Sequence, residues 1–202
     1  MRKRLLILPV IFFVFSLVLI SCKYAEDKSR KSLEFIKSLK SYSCDCTIAL
    51  ENDRQILEYN CKQYYNRKLG GRIEIDENRI LTYKNDKIYV RDLKSGIKYT
   101  LDKDFDTIFK ISMIGECVHL MYTNEEIKTF VKDIDGIEYT IVELSIPGMN
   151  RNLSKGKLYI NNRDNLPEKL EILDFKSREK VRVTYKNFNA NAELNDKLFN
   201  ED

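Results

Sequence analysis

The feature that most constrains the fold is an alternation of apolar and polar residues that begins near Tyr42 and recurs almost to the end of the chain. In the first run, Cys44, Cys46, Ile48 and Leu50 fall on one face, and the residues between them are mostly polar. A period of two is typical of a strand with one buried face. The pattern therefore predicts a chain built mainly from β-strands.

Short turn signals between the runs predict that neighbouring strands pair as antiparallel hairpins. A turn at Asn85-Asp86 would place Tyr83 opposite Ile88 and Leu81 opposite Val90, which keeps the apolar residues on one face. The strongest signal of this kind is Asp135-Gly136, which has the sequence of a tight two-residue turn. We predict further hairpin turns at Ser95-Gly96, 162–167 and 176–179.

A turn signal at Asn52-Asp53 predicts the register of the first hairpin. With these two residues as the loop, three pairs fall on the apolar face: Ile48 with Leu57, Cys46 with Tyr59, and Cys44 with Cys61. This register is self-consistent, because all the apolar side chains meet apolar partners.

Two segments have helical spacing instead. Leu33, Ile36 and Leu39 predict an amphipathic helix within residues 26–41, and a second helical segment lies between Phe105 and Met121. A sheet of this many strands must twist and curl. We therefore expect a mainly β (α+β) fold: one curved antiparallel sheet of about 8–11 strands, an incomplete barrel, with helices covering its concave face.

The first 22 residues are typical of an export signal. Arg2-Lys3-Arg4 precedes an uncharged apolar run, Leu5–Ile20, which is short for a membrane span of about 20 residues. The run ends in Leu19-Ile20-Ser21-Cys22, which resembles the lipobox of bacterial lipoproteins. This implies that the Cys22 thiol takes a diacylglycerol and becomes the first mature residue. The predicted domains are a signal peptide (1–21), a lipidated Cys and short tether (22–31) and a single β domain (32–202).

The charge balance argues against a nucleic-acid partner. Lys and Arg number 35 and Asp and Glu number 31, but three of the cations lie in the signal segment. The remaining 32 cations and 31 anions leave a net charge of only +1, too little for the basic patch that binds a phosphate backbone.

The sequence contains no clear motif of catalytic or metal-binding residues. His119, the one histidine, lies two residues after Cys117, a spacing that brings both to one face only in a strand. A zinc site needs three or four ligands, and the chain has no CxxC. No carboxylate pair stands out among the 31 acids. We therefore expect no catalytic residue, no metal and no cofactor in this chain.

Four cysteines remain after Cys22 in a compartment where disulfides form. The predicted register places Cys44 opposite Cys61, at a Cα separation that allows a disulfide. Small buried thiols also suit the apolar face of a sheet. The sequence is therefore compatible with two states, a Cys44–Cys61 disulfide or free cysteines in the core.

The end of the chain carries the strongest family resemblance. A lipobox and a leading helix precede a long meander that ends in Leu166-Pro167-Glu168-Lys169, 183–188, Asn191 and Leu198-Phe199. This combination resembles the LolA/LolB/LppX-like superfamily of envelope lipoproteins and lipoprotein carriers. Within it, size, lipobox and a composition rich in Lys, Ile and Asn resemble the germination lipoproteins of the GerS type from endospore-forming bacteria.

The resemblance implies a non-enzymatic adaptor. Lipoproteins of the GerS type activate the zinc-dependent cortex amidase CwlD, an N-acetylmuramoyl-L-alanine amidase, and the pair generates the muramic-δ-lactam that cortex hydrolases recognise in germination. Any zinc would belong to the amidase. The implied location is outside the cytoplasm, anchored to a membrane in the spore intermembrane or cortex region. The alternative is a carrier of acyl chains or lipoproteins, whose half-barrel would hold a cavity lined by Tyr, Ile and Leu.

Two places are candidates for partner binding. One is the loop 145–150, in which Ile146, Pro147 and Met149 form an apolar tip. The other is an uncovered edge of the sheet, which could also exchange strands in a homodimer.

Overall fold

The computed structural model of the chain describes residues 27–200 apart from 53, 126 and 149. The described residues form one sheet, three α-helices and two 3₁₀ helices. The helices are α1 (27–38), α2 (Ile108–Ile111) and α3 (Ile114–Thr123), with 3₁₀ helices at Lys103–Phe105 and Asp196–Phe199. The strands are β1 (Ser41–Glu51), β2 (Ile56–Asn66), β3 (Gly70–Ile75), β4 (Arg79–Lys84), β5 (Lys87–Asp92), β6 (Lys98–Asp102), β7 (Lys128–Ile134), β8 (Ile137–Ser145), β9 (Lys155–Asn161), β10 (Pro167–Leu173) and β11 (Glu179–Ala190).

All eleven strands of the described chain belong to one curved, unclosed antiparallel sheet in the order β6-β5-β4-β3-β2-β1-β11-β10-β9-β8-β7. Each half of the chain is a meander, and the two meanders join where β1 pairs with β11. The middle of the sheet is therefore made by the first and last strands. This confirms the predicted fold class.

Two hairpins have the register that the sequence predicts. Leu81 lies opposite Val90 and Tyr83 opposite Ile88, and β7 and β8 join through the predicted turn at Asp135-Gly136. Both turns are tight and contain residues with positive φ, which Asn, Asp and Gly tolerate.

The predicted register of β1 and β2 is wrong by two residues. The loop is longer than two residues, because the Asn52 side-chain oxygen accepts hydrogen bonds from the backbone N–H groups of Arg54 (2.9 Å) and Gln55 (3.0 Å). This side-chain turn competes with the tighter hairpin. A shift of two keeps every side chain on its face, so the apolar pattern could not detect it.

The corrected register changes the cysteine pairs. Cys61 lies opposite Cys46, while Cys44 lies opposite Gln63. The proposed Cys44–Cys61 disulfide depended on these two residues lying opposite each other, and they do not. Cys44, Cys46, Cys61 and Cys117 are all buried free thiols in the structure.

Helix α1 packs against the β8–β10 end of the sheet. Ser32 is buried and donates a hydrogen bond to Asn162 (3.1 Å) or Asn165 (2.9 Å), and Lys28 forms an ion pair with Glu138 (2.6 Å). The stretch 27–31 was assigned both to the tether and to the helix predicted within 26–41, and it is helical. Its Lys28 is held against the sheet by the ion pair with Glu138. The signal peptide, Cys22 and the rest of the tether lie outside the described residues.

Helices α2 and α3 lie in the predicted helical segment, and α3 continues two residues beyond it to Thr123. Both pack on the face that carries Tyr42, Cys44, Cys46 and Ile48, called the covered face below. The contact is close at the start of α3, where a Cβ on Gly115 would lie 2.2 Å from the Tyr65 ring. Only glycine permits this approach.

The C-terminal segment folds over the opposite face, called the outer face. Ser41 donates a hydrogen bond to the Ala192 carbonyl (2.7 Å), and Arg72 of β3 donates one to the Leu198 carbonyl (3.2 Å). Phe199 is buried there and closes the outer face of β3 and β4.

Candidate partner-binding rim

A buried hydrogen-bond network occupies the middle of the covered face. Tyr42 accepts a hydrogen bond from the Ile114 N–H (3.0 Å) and donates one to Gln63 (3.2 Å). Gln63 donates to the Ser112 hydroxyl (2.9 Å), and Tyr185 donates to the Ser112 carbonyl (2.6 Å). Burial raises the pKa of the Tyr42 and Tyr185 hydroxyls well above their ordinary value. The network ties β1, β2 and β11 to the turn between α2 and α3.

The Cys117–His119 pair does not form a catalytic site. Both residues lie in α3, where a spacing of two points side chains in different directions. Cys117 is buried and His119 is exposed. Burial raises the pKa of the Cys117 thiol to about 12, which disfavours the nucleophilic thiolate.

A groove with a volume of about 700 Å³ lies beside β8–β11. Two tyrosines in it donate hydrogen bonds to carboxylates, Tyr139 to Glu168 (2.5 Å) and Tyr159 to Glu171 (2.8 Å). The Lys169 ammonium lies 3.9 Å from the centre of the Tyr159 ring. The groove is therefore open to solvent, and charged groups lie among its apolar lining, unlike the enclosed dry cavity that an acyl carrier would need.

The predicted partner loop lies at the end of the sheet where β8 and β10 end. Ile146 is only 9 % exposed and is part of the core, so it is not an apolar tip as predicted. Its backbone N–H donates to the Ser154 carbonyl (3.0 Å), which draws it inward. Pro147 is exposed, and Met149 lies outside the described residues.

Phe175, in the β10–β11 turn, is an exposed aromatic side chain at this end of the sheet. It is 53 % exposed, and its backbone N–H donates to the Arg151 carbonyl (3.0 Å), which joins its turn to the predicted loop. Arg151 and Lys176 carry their charges 5.7 and 5.5 Å from the ring centre. An exposed aromatic ring beside Arg is the composition of many interface centres.

Asp174 holds this turn in place. Its carboxylate is buried and accepts hydrogen bonds from the backbone N–H groups of Lys176 (2.8 Å) and Arg178 (2.9 Å) and from the Arg178 side chain (2.8 Å). Burial alone would raise the pKa of Asp174, but these hydrogen bonds lower it below the ordinary value. The carboxylate therefore stays ionised and fixes the residues on both sides of Phe175.

A groove of about 380 Å³ connects this turn with the rest of the same end of the sheet. We call the groove and Phe175 together the rim. Its walls come from the β1–β2 hairpin, α2, the β8–β9 loop and the start of β11: Leu50, Glu51, Asn52, Ile108, Asn150, Asn152, Leu153, Arg178, Lys180 and Val181.

Sequence reasoning found the β8–β9 loop of the rim but not Phe175, Arg151 or Asp174. A phenylalanine inside a highly charged turn, 174–178, was the available signal. The pairing of this turn with Arg151 depends on tertiary contacts between two hairpins. The edge strands β6 and β7 remain uncovered candidates for partner binding.

The described residues contain neither a metal-binding cluster nor a membrane-spanning helix. No group of three or more His, Cys, Asp or Glu side chains is arranged to hold a metal ion within 27–200, leaving out 53, 126 and 149. Over the same part of the chain, no helix has the length and apolarity to span a membrane.

The fold is that of a curved antiparallel β-sheet protein with helices packed on one face and a loop-lined groove at one end. The family of YdcC-like sporulation proteins matches residues 2–199, so the chain belongs to that family. No curated protein sequence matches the chain.

Several solved structures are similar to this chain. A structure of the CwlD amidase from Clostridioides difficile in complex with the GerS lipoprotein matches at 24% identity, over 81% of this chain and 94% of that chain, with a TM-score of 0.43. An uncharacterized conserved protein from Thermus thermophilus matches at 10% identity, over 88% and 92%, with a TM-score of 0.52. A LolA superfamily protein from Nitrosomonas europaea matches at 14% identity, over 87% and 97%, with a TM-score of 0.42.

Proposed function

We propose that this protein is a non-enzymatic, lipid-anchored adaptor that binds and activates a cortex N-acetylmuramoyl-L-alanine amidase. It would thereby support muramic-δ-lactam formation and spore germination. Membership in a sporulation family supports a role in spore formation. The choice of amidase follows from the resemblance of the lipobox and tail to lipoproteins of the GerS type.

The observation that carries the proposal is the filled covered face. Carriers of the superfamily use the concave face for acyl chains, and we assign the covered face, on which α2 and α3 pack, as the concave one. Buried hydrogen bonds at Ser112 and Ile114 fix these helices to the middle of the sheet. Opening the face would leave several buried polar groups without partners, at about 1–3 kcal/mol each. This favours an adaptor over a carrier.

The adaptor would act by binding the competent form of the enzyme. A partner that binds only the folded, metal-loaded amidase raises the population of that state by mass action. We expect the zinc to belong to the amidase. We expect Cys22 to carry the lipid that keeps both proteins at the membrane surface outside the cytoplasm, because two or more acyl chains hold firmly.

We assign partner binding to the rim. Phe175 offers exposed aromatic area on a turn that Asp174 makes rigid, so little entropy is lost when a partner covers it. The surrounding Arg151, Lys176 and Lys180 would favour an acidic surface on the amidase.

The test is size-exclusion chromatography with light scattering on the full chain in detergent, alone and mixed with a cortex amidase of the CwlD type. We expect a co-eluting complex, weakened when Phe175 is replaced by Ala. Phe105→Ala is the matched control, because Phe105 is 75% exposed and follows Lys103, whose backbone N–H donates to the Asp86 carbonyl (3.1 Å) at the end of the sheet opposite the β1–β2 hairpin. The masses also test the predicted homodimer.

Separate elution of two folded proteins would contradict the adaptor. An equal loss in both variants would contradict the assignment to the rim. A lipid that co-purifies with the protein would favour the alternative function, a carrier of acyl chains.

A further inference from the structure

We propose that Cys46 and Cys61 form a disulfide that joins β1 to β2 in the exported protein. The two residues lie directly opposite each other in the antiparallel pair. Both side chains are buried on the covered face. In the structure both are free thiols, which is the reduced form of the pair. The inference rests on the export that is part of the proposed function.

The hydrogen-bond pattern of the hairpin sets the distance between the two cysteines. Asn52 N–H donates to the Gln55 carbonyl (3.1 Å) at one end of the ladder, and Arg67 N–H donates to the Lys40 carbonyl (2.8 Å) at the other. Hydrogen-bonded pairs alternate along an antiparallel ladder, so the pairs with even numbers in β1 are the hydrogen-bonded ones. Cys46 and Cys61 are one of them. Such pairs have Cα atoms about 5.5 Å apart, within the range of disulfides, about 4.4–6.8 Å.

The other two buried thiols are placed differently. Cys44 lies opposite Gln63, one pair further along the covered face, and its sulfur is 4.0 Å from the Gln63 side-chain oxygen. Cys117 lies in α3, with its sulfur 3.9 Å from the Ile111 carbonyl. Cys46 and Cys61 are therefore the cysteines that the backbone register brings together.

The surroundings of Cys46 bear on when the bond can form. The neighbouring Cys61 thiol, followed by burial, raises the pKa of Cys46 well above its ordinary value. The Cys46 thiolate is therefore scarce once the core has formed, and exchange should occur while the hairpin is still accessible. The hairpin is local in sequence, so it can form before the distant β11 is in place.

Formation of the bond needs an oxidant, which we propose is a protein disulfide or a low-molecular-weight disulfide of the cell envelope. The Cys46 thiolate attacks one sulfur of that disulfide, forms a mixed disulfide and releases the first thiolate. The Cys61 thiolate then attacks the Cys46 sulfur and expels the second. The chain loses two protons and two electrons, and the oxidant is reduced to two thiols.

The expected bond is a labile one. Side chains in opposite pairs have Cβ atoms about 4.5–5.5 Å apart, whereas a disulfide requires about 3.5–4.5 Å. The strands must therefore approach each other slightly, and a strained disulfide is easier to reduce than a relaxed one. We expect mild dithiol reductant to open it in the folded protein.

The experiment is peptide mapping of the full chain after export by a bacterial host and purification under an alkylating agent. Trypsin places Cys44 and Cys46 in one peptide, 41–54, and Cys61 in another, 55–62; cleavage before Asp45 then separates Cys44 from Cys46. We expect the Cys46 and Cys61 peptides as one species, lighter by two hydrogens than their sum, that reductant splits. Cys46→Ser should abolish it, while Cys44→Ser and Cys117→Ser should leave it unchanged.

Alkylation of both Cys46 and Cys61 in the exported, unreduced chain would overturn the proposal, as would a cross-link to Cys44 or Cys117. The wild-type map alone decides this, even if a variant fails to fold. Reductant should also lower the thermal midpoint of the wild type but not that of the Cys46→Ser/Cys61→Ser variant. Amidase binding is measured on the same preparation, so failure of the cross-link and failure of the adaptor role are distinguishable.

Discussion

The side-chain amide of Gln63 donates a 2.9 Å hydrogen bond to the hydroxyl of Ser112, and so joins the middle of β2 to the turn between α2 and α3. Both residues are fully buried. Gln63 also accepts a hydrogen bond from Tyr42, so a single polar side chain connects both strands of the first hairpin with the helical cover. The helices are therefore fixed in position as well as packed.

Replacing Gln63 by Met should destabilise the fold by about 1–3 kcal/mol, because the hydroxyls of Tyr42 and Ser112 would remain buried with one partner fewer. Urea unfolding measures this difference. Gln55→Met in the exposed β1–β2 loop is the matched control, and we expect it to change stability by less than about 0.5 kcal/mol. Equal stability of the two variants would show that the network does not hold the helices.

Gly115→Ala should also be destabilising, although alanine favours a helix by about 1 kcal/mol over glycine. Its Cβ would lie 2.2 Å from the Tyr65 ring, and overpacking of this kind costs about 1–3 kcal/mol. Gly71→Ala should cost less, because the atom in the way is the flexible end of Met113. Combining Tyr65→Leu with Gly115→Ala should recover part of the lost stability, because the smaller side chain makes room for the new Cβ. A double-mutant cycle that measures no coupling energy between positions 65 and 115 would contradict the contact.

Acid should loosen the contact of α1 with the sheet. Hydrogen bonds from Lys28 and Asn162 hold the pKa of Glu138 below its ordinary value of 4.5. A lowered pKa gives stability that is complete above the ordinary value and is lost as the pH falls through the folded-state value. Glu138→Gln should therefore be less stable than the wild type at pH 7, with the difference disappearing towards pH 3. A difference that stays constant with pH would exclude the ion pair as its cause.

Asp174→Ala should weaken amidase binding, because the turn that presents Phe175 would lose the acceptor of three hydrogen bonds. Asp164→Ala is the matched control: Asp164 accepts a backbone hydrogen bond in the β9–β10 turn, at the other end of these strands. Titration of the amidase with each variant measures the effect. Unchanged affinity in Asp174→Ala would mean that the rim does not bind the partner.

The tight hairpins were predictable because their signals are local. Asn85 and Asp135 adopt positive φ, as tight hairpin turns require. A two-residue turn also determines the register of the two strands that it joins. The β1–β2 register was not predictable in this way. A side-chain turn at Asn52 lengthens the loop, and a shift of two residues leaves the apolar pattern unchanged.

The candidate site was only partly predictable. The β8–β9 loop was identified from its composition, but Ile146 proved to be a core residue and Phe175 supplies the exposed ring. Exposure of a single side chain depends on which loops meet. Here the two loops are joined by the backbone hydrogen bond from Phe175 to Arg151, and these residues belong to different hairpins.

The strand-rich class, most hairpins and the helical segments could be predicted from the amino-acid sequence, because alternation, turn residues and helical spacing act over a few neighbouring residues. The pairing of β1 with β11, of Cys46 with Cys61, and of Gln63 with Ser112 is seen only in the folded chain. These contacts join residues far apart along the chain or offset by a whole period of the pattern. Their free energy comes from burial and hydrogen bonding that exist only once the sheet has assembled.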